Sequence, residues 1–132
     1  MATENLLTVG SFPTVVVAEN YPSARASLTE LLHYDGYRVL PAANAEAALL
    51  CINSVANLAV LLADLDMDGW QSIVSHAATM TDAFIIAMAG NHPFSTMYNL
   101  AEYGIGLCFL KPVVYKDLRA AIRKRLGQTT GR

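Results

Sequence analysis

Cysteine is scarce in this chain: 132 residues include two, Cys51 and Cys108, and neither sits in a CxxC pair. That argues against a disulfide framework or a zinc site, and both residues read as buried thiols in a reducing, cytoplasmic setting. Charged residues make up only 15% and the formal net charge is −2, so the chain as a whole has no pull toward nucleic acid or an anionic membrane. No apolar run approaches the roughly 20 residues of a spanning helix, because Asp, Asn, Gly or Lys interrupts each one. Residues 1–13 lack a basic start and a small-residue cleavage pattern, so they read as a tail and not as a secretory signal. What the chain does have is apolar residues, at 54%, which suits one compact domain over residues 14–126 with a second short tail at 127–132.

Short apolar, β-branched runs alternate with helical patterns, the signature of an α/β domain with a parallel sheet. Strands are expected at residues 14–17, 37–40, 58–62, 83–88 and 105–110. The first helix opens at Pro22, carries the stripe Ala24, Leu28, Leu31 and Leu32, and stops at Gly36. Asn44 caps a second helix whose Ala47, Leu50 and Cys51 share a face. A weaker pattern predicts a third helix over residues 70–80. A fourth, with Met97, Leu100 and Ala101, follows the turn Asn91-His92-Pro93 and ends at Gly104. Val114, Leu118, Ile122 and Leu126 give the fifth its buried stripe. Right-handed crossovers place all five strand C-termini on one edge, where open α/β sheets bind ligands. The residues at that edge are Glu19 and Asn20, then Asp64, Asp66 and Asp68, then Ala89 and Gly90, then Lys111-Pro112.

The stretch "DLDMDG", residues 64–69, admits two readings. It begins like a calcium EF-hand loop, but that loop needs a preceding helix, an apolar eighth residue and a glutamate at the twelfth. Those two positions hold Gln71 and Ser75, and a strand precedes the loop. The other reading is phosphoryl chemistry. A carboxylate can attack a phosphoryl donor if a divalent cation neutralises the crowded charge and a lysine holds the transferred group. Asp64 as nucleophile, Glu19, Asn20 and Asp66 as magnesium ligands, and Lys111 as phosphate partner meet that need.

At this point the chain resembles the receiver domain of two-component response regulators. "VVVAENYPSAR" resembles the family's first strand with its acidic pair, "AVLLADLDMDG" the phosphoacceptor strand and loop, "FIIAMAG" the fourth strand, and "FLKPV" the lysine-proline signature. The separations of 44 residues between Asn20 and Asp64, and of 22 between Ala89 and Lys111, are usual for receivers. The resemblance implies a flavodoxin-like, doubly wound five-stranded parallel sheet of order 2-1-3-4-5 with helices on both faces. It also implies Asp64 as phosphoacceptor and Mg2+ held by Glu19, Asn20, Asp64 and the backbone carbonyl of Asp66. The phosphoryl group would be held by Lys111 and the backbones of Ala89 and Gly90, and the Lys111-Pro112 peptide would be cis. The role is that of a signalling domain and not an enzyme, with at most slow self-dephosphorylation. Its partners would be a histidine kinase or phosphotransfer protein and a downstream protein target, with a second copy of the chain also allowed. No membrane partner and no DNA-binding output domain are expected.

Four departures from the pattern accompany these matches. Asn20 replaces an acid, which should weaken Mg2+ binding. Ala89 replaces the hydroxyl residue, and Cys108 the aromatic, that together relay phosphorylation to the surface. The "MDG" turn arrives about three residues early. The resemblance therefore predicts an atypical receiver with a degraded switch, and the alternative is an interaction module that ignores phosphorylation. A flavodoxin-like nucleotide binder would want a Gly- or Ser/Thr-rich loop after the first strand, which "AENYPSAR" does not provide. His33, His76 and His92 stand alone and read as surface or capping residues. Six of the nine basic residues lie between Lys111 and Arg125 and read as a solvated helix face.

Overall fold

The computed structural model describes residues 12–90 and 99–128. Five parallel strands alternate with helices: β1 (Thr14–Ala18), α1 (Pro22–Tyr34), β2 (Arg38–Ala42), α2 (Ala45–Asn53), β3 (Leu58–Asp64), α3 (Trp70–Met80), β4 (Phe84–Ala89), a 3-10 turn (Leu100–Tyr103), β5 (Ile105–Leu110) and α4 (Tyr115–Arg125). The sheet order is β2-β1-β3-β4-β5, and every neighbouring pair is parallel. This is the flavodoxin-like sheet expected. Most of the helix expected after the fourth strand falls on residues 91–98, outside the described residues. Its described remainder, with Leu100 and Ala101, is the 3-10 turn.

Alternation along the strands divides the core between two faces. Val16, Ala18, Leu61, Ala63, Ile85 and Ala87 pack with Ala48 and Ile52 of α2 and Ile73, Val74 and Ala77 of α3. Val15, Val17, Val60, Leu62, Ile86 and Met88 pack with Leu28 and Leu32 of α1 and Leu118 and Ile122 of α4. The α1 and α4 stripes are as expected but narrower, with Leu28, Leu32, Leu118 and Ile122 buried, and the α2 stripe is rephased. Leu31, Leu50 and Val114 are exposed, and α2 buries Ala48 and Ile52 in place of Ala47 and Leu50. With so many apolar residues available, several periodic stripes can be drawn on one helix, and only contact with the sheet selects among them.

Two further differences concern strand ends. β2 runs on through Pro41, tolerated because an edge strand has one side without a sheet partner. β3 extends to Asp64, with Ala63 and Asp64 in register with Ala87 and Met88 of β4. The nucleophile candidate is thus anchored inside the sheet's hydrogen-bond ladder and does not sit in the loop beyond it.

Gly104 joins the 3-10 turn to β5 at φ 84°, and a Cβ there would approach the Ala78 Cβ of α3 to 2.6 Å. Gly104→Ala therefore meets both a left-handed backbone and a close neighbour. Chemical denaturation should show a loss of about 1–2 kcal/mol, while Gly36→Ala, with nothing within 4 Å, meets only the backbone cost and should lose less.

Candidate functional site

The site lies at the C-terminal edge of the sheet, where β1, β3, β4 and β5 deliver one segment each. Asp64 ends the central strand and is 1% exposed. Its Oδ1 accepts from Lys111 Nζ at 2.9 Å and from the Asp66 N–H at 2.8 Å. Its Oδ2 accepts from the Asn20 N–H at 3.1 Å. Burial works against the ionised form, but the Lys111 ammonium and the two backbone donors outweigh it, holding the Asp64 carboxyl below its ordinary range.

Glu19 sits beside it, also buried. Its Oε2 accepts from the Tyr21 N–H at 2.9 Å and from Lys111 Nζ at 3.2 Å, whereas Oε1 has no hydrogen-bond partner among the described residues. Burial, with help from the neighbouring Asp64 charge, raises the Glu19 carboxyl despite the Tyr21 and Lys111 donors. Lys111 responds in the opposite sense to desolvation: burial would lower it, but Asp64 and Glu19 raise it above the usual lysine value. One ammonium thus serves two buried carboxylates, and one carboxylate oxygen is left without a donor.

Lys111 is aimed by its backbone. Its N–H donates to the Ala89 carbonyl at 2.7 Å, and the Lys111-Pro112 peptide is cis as expected. Leu65 N–H donates to the Met88 carbonyl at 2.8 Å, carrying the strand pairing one residue past Asp64. Arg25 of α1 donates to the carbonyls of Glu19 at 2.8 Å and Asn20 at 3.4 Å. That anchor of the acidic loop was not foreseen from sequence, although "ENYPSAR" places an arginine one helical turn beyond the loop.

Asn20 reaches the site through its backbone, and its residue surface is exposed. Gly90 lines the cavity with Asp66, while Ala89 is buried on the face that packs α2 and α3. Cys108 is half-buried against the same face, and its burial raises the thiol above the ordinary cysteine value. Asp68 is exposed in the turn before Gly69. The calcium-loop reading fails: β3 occupies the place of the required helix, and Gln71 and Ser75, at the positions of the apolar eighth residue and the twelfth ligand, lie within α3.

A cavity of about 570 Å3 is lined by Glu19, Asp64 and Lys111 together with Leu28, Val113 and Tyr115. Tyr115 is held by a 2.7 Å hydrogen bond to Asp35 Oδ2. The ligand atoms that Glu19 and Asp64 offer are all oxygens, the set a hard divalent cation such as Mg2+ prefers, and the unpartnered Glu19 Oε1 is a ready ligand atom. Lys111 Nζ stands between the carboxylates. Among the described residues no three His, Cys, Asp or Glu side chains are already gathered around one ligand point. The residues therefore fit such an ion by chemistry, and Lys111 has to yield space to it.

Comparison with known proteins agrees with this architecture. No family model matches the chain, and no curated protein matches it by sequence. Solved structures do match. A response regulator receiver domain protein from Clostridium thermocellum superposes with a TM-score of 0.78 at 23% identity, covering 88% of this chain and 95% of that one. A CheY-like receiver domain protein from Methanospirillum hungatei gives 0.80 at 20% identity, covering 89% and 95%. A response regulator from Burkholderia pseudomallei, solved with a phosphorylated aspartic acid, calcium ion and citrate, gives 0.76 at 20% identity, covering 87% and 69%. The chain has the fold of response regulator receiver domains. Among its described residues no helix is long and apolar enough to cross a membrane.

Proposed function

We propose that the chain is an atypical receiver that accepts a phosphoryl group on Asp64 from a histidine kinase or phosphotransfer protein and signals through protein contacts. The observation that carries this reading is the pairing of a buried carboxylate at the end of the central strand with Lys111 at 2.9 Å, beside a second buried acid with a free oxygen. A structural ion pair has no need of that second acid. A site that receives both a cation and a phosphoryl group does.

In the proposed reaction an Asp64 carboxylate oxygen forms a bond to phosphorus as the donor's bond to phosphorus breaks, and the donor imidazole leaves with its electron pair and takes up a proton. Glu19, Asp64, the Asp66 carbonyl and Asn20 would hold Mg2+, which would supply neutralisation of the negative charge that collects there. Lys111 releases Asp64 Oδ1 and pairs with a phosphoryl oxygen, while the backbones of Ala89 and Gly90 face the same group.

Beryllium fluoride, which mimics a phosphoryl group on a carboxylate, tests this reading. With Mg2+ present, calorimetry should show one equivalent bound to the unmodified protein and none to Asp64→Asn. Equal binding to both would place the anion elsewhere and reject Asp64 as the acceptor.

A further inference from the structure

The charge absent at Asn20 reappears two residues beyond Asp64. Asp66 Oδ2 lies 3.8 Å from Lys111 Nζ, which makes it the third carboxylate around that ammonium after Asp64 at 2.9 Å and Glu19 at 3.2 Å. The main chain of Asp66 is fixed by its N–H donating to Asp64 Oδ1 at 2.8 Å. Its carboxylate is seated over Gly90, where a Cβ would meet Oδ2 at 2.6 Å. A Cβ at residue 90 would displace the carboxylate, a shift open to the free end of a flexible side chain, so this placement of Asp66 uses the room that Gly90 leaves without being fixed by it. Asp66 and Asp68 are both exposed residues, and of the two it is Asp66 that lines the cavity and approaches Lys111.

We infer that the second acid of the cation site has moved from position 20 to position 66, and that the Asp66 carboxylate, given room by Gly90, supplies the charge that Asn20 lacks. Glu19, Asp64 and Asp66 against Lys111 give a formal charge of −2 (three negative, one positive), which a divalent cation balances. Without Asp66 the sum is −1. The buried, unpartnered Glu19 Oε1 is an independent sign that this cluster is built around a cation. The inference rests on the reading of the site as cation-binding and assigns to the Asp66 side chain a part in addition to that of its carbonyl.

The test is an Mg2+ titration by calorimetry, with the fluorescence of Trp70, the single tryptophan, as a second signal. Trp70 N–H donates to the Met67 carbonyl in the same loop at 3.2 Å. Affinity tracks ligand charge, so Asp66→Asn should weaken Mg2+ about tenfold, and Asn20→Asp added to it should restore most of the loss. Gly90→Ala should weaken binding similarly, with little further loss when combined with Asp66→Asn, because the two changes remove the same interaction. Undiminished binding by Asp66→Asn, or no recovery on adding Asn20→Asp, overturns the relocation while leaving the cation site intact. Absence of Mg2+ binding by the unmodified protein at millimolar concentration overturns both the relocation and the cation-binding reading.

Discussion

Lys111→Met is expected to lower the unfolding free energy at pH 7 by about 2–3 kcal/mol in the presence of a chelator. Removing one partner of a fully buried ion pair costs roughly 3–5 kcal/mol, because the other charge is left uncompensated. Lys111 is 24% exposed while Asp64 is 1%, so solvent offsets part of that cost. The pH dependence has a definite sign. The folded Asp64 carboxyl lies below its usual value, so its contribution is present above about 4 and is lost as pH falls through the folded value. Lys111 is raised, so its contribution is complete below about 10 and is lost only as pH rises through its folded value. The stabilisation is therefore fully present at pH 7. In the variant Glu19 and Asp64 lose their shared cation, so the Glu19 carboxyl, already raised, rises further and the Asp64 carboxyl loses the partner that lowered it. The deficit should then shrink as pH falls below about 5 and both protonate. Millimolar Mg2+ should recover part of it at pH 7. Urea denaturation over this pH range decides the matter, and a deficit that neither acid nor Mg2+ reduces would mean that Lys111 acts through packing alone.

Phosphoryl-mimic binding to the unmodified protein should leave its distant amides almost unchanged. Ala89 offers only a buried methyl group where a hydroxyl would be drawn toward the phosphoryl group, and its carbonyl already accepts from Lys111. Cys108, opposite Ala87 in the β4–β5 pairing, brings no ring that could fill vacated space. Among the described residues a bound group then finds no hydroxyl-and-ring relay of this kind to bias. Ala89→Thr alone should not change this, whereas Ala89→Thr with Cys108→Tyr supplies both halves of a relay. Amide chemical shifts with and without beryllium fluoride should stay near Glu19, Asp64, Asp66, Gly90 and Lys111 in the unmodified protein. In the double variant they should spread along β5 and into the 3-10 turn. Wide shifts in the unmodified protein would show that it signals by another route.

The central strands were legible because β1, β3 and β4 are continuous apolar runs, as strands covered on both faces must be. β2 was less so, since an edge strand can hold Arg38 and Pro41 without breaking the sheet. Glu19, Asp64 and Lys111 could be brought together on paper because strand C-termini of a parallel sheet share one edge, and the fold does bring them together. The side chain of Asp66 could not be placed in this way. Its placement uses the room left by the absence of a Cβ at Gly90, a contact between segments 24 residues apart that no local pattern encodes. Arg25 escaped notice for a similar reason: its bonds go to main-chain carbonyls, which leave no trace in side-chain motifs.

The central claim is that Asp64 is chemically competent to take a phosphoryl group. Incubating the protein with a small phosphodonor and Mg2+ and then measuring its intact mass tests this most directly. One phosphoryl group should be added to the unmodified protein, should be lost in mild alkali as an acyl phosphate is, and should be absent from Asp64→Asn. An unchanged mass under these conditions, or an equal gain by Asp64→Asn, would contradict the account.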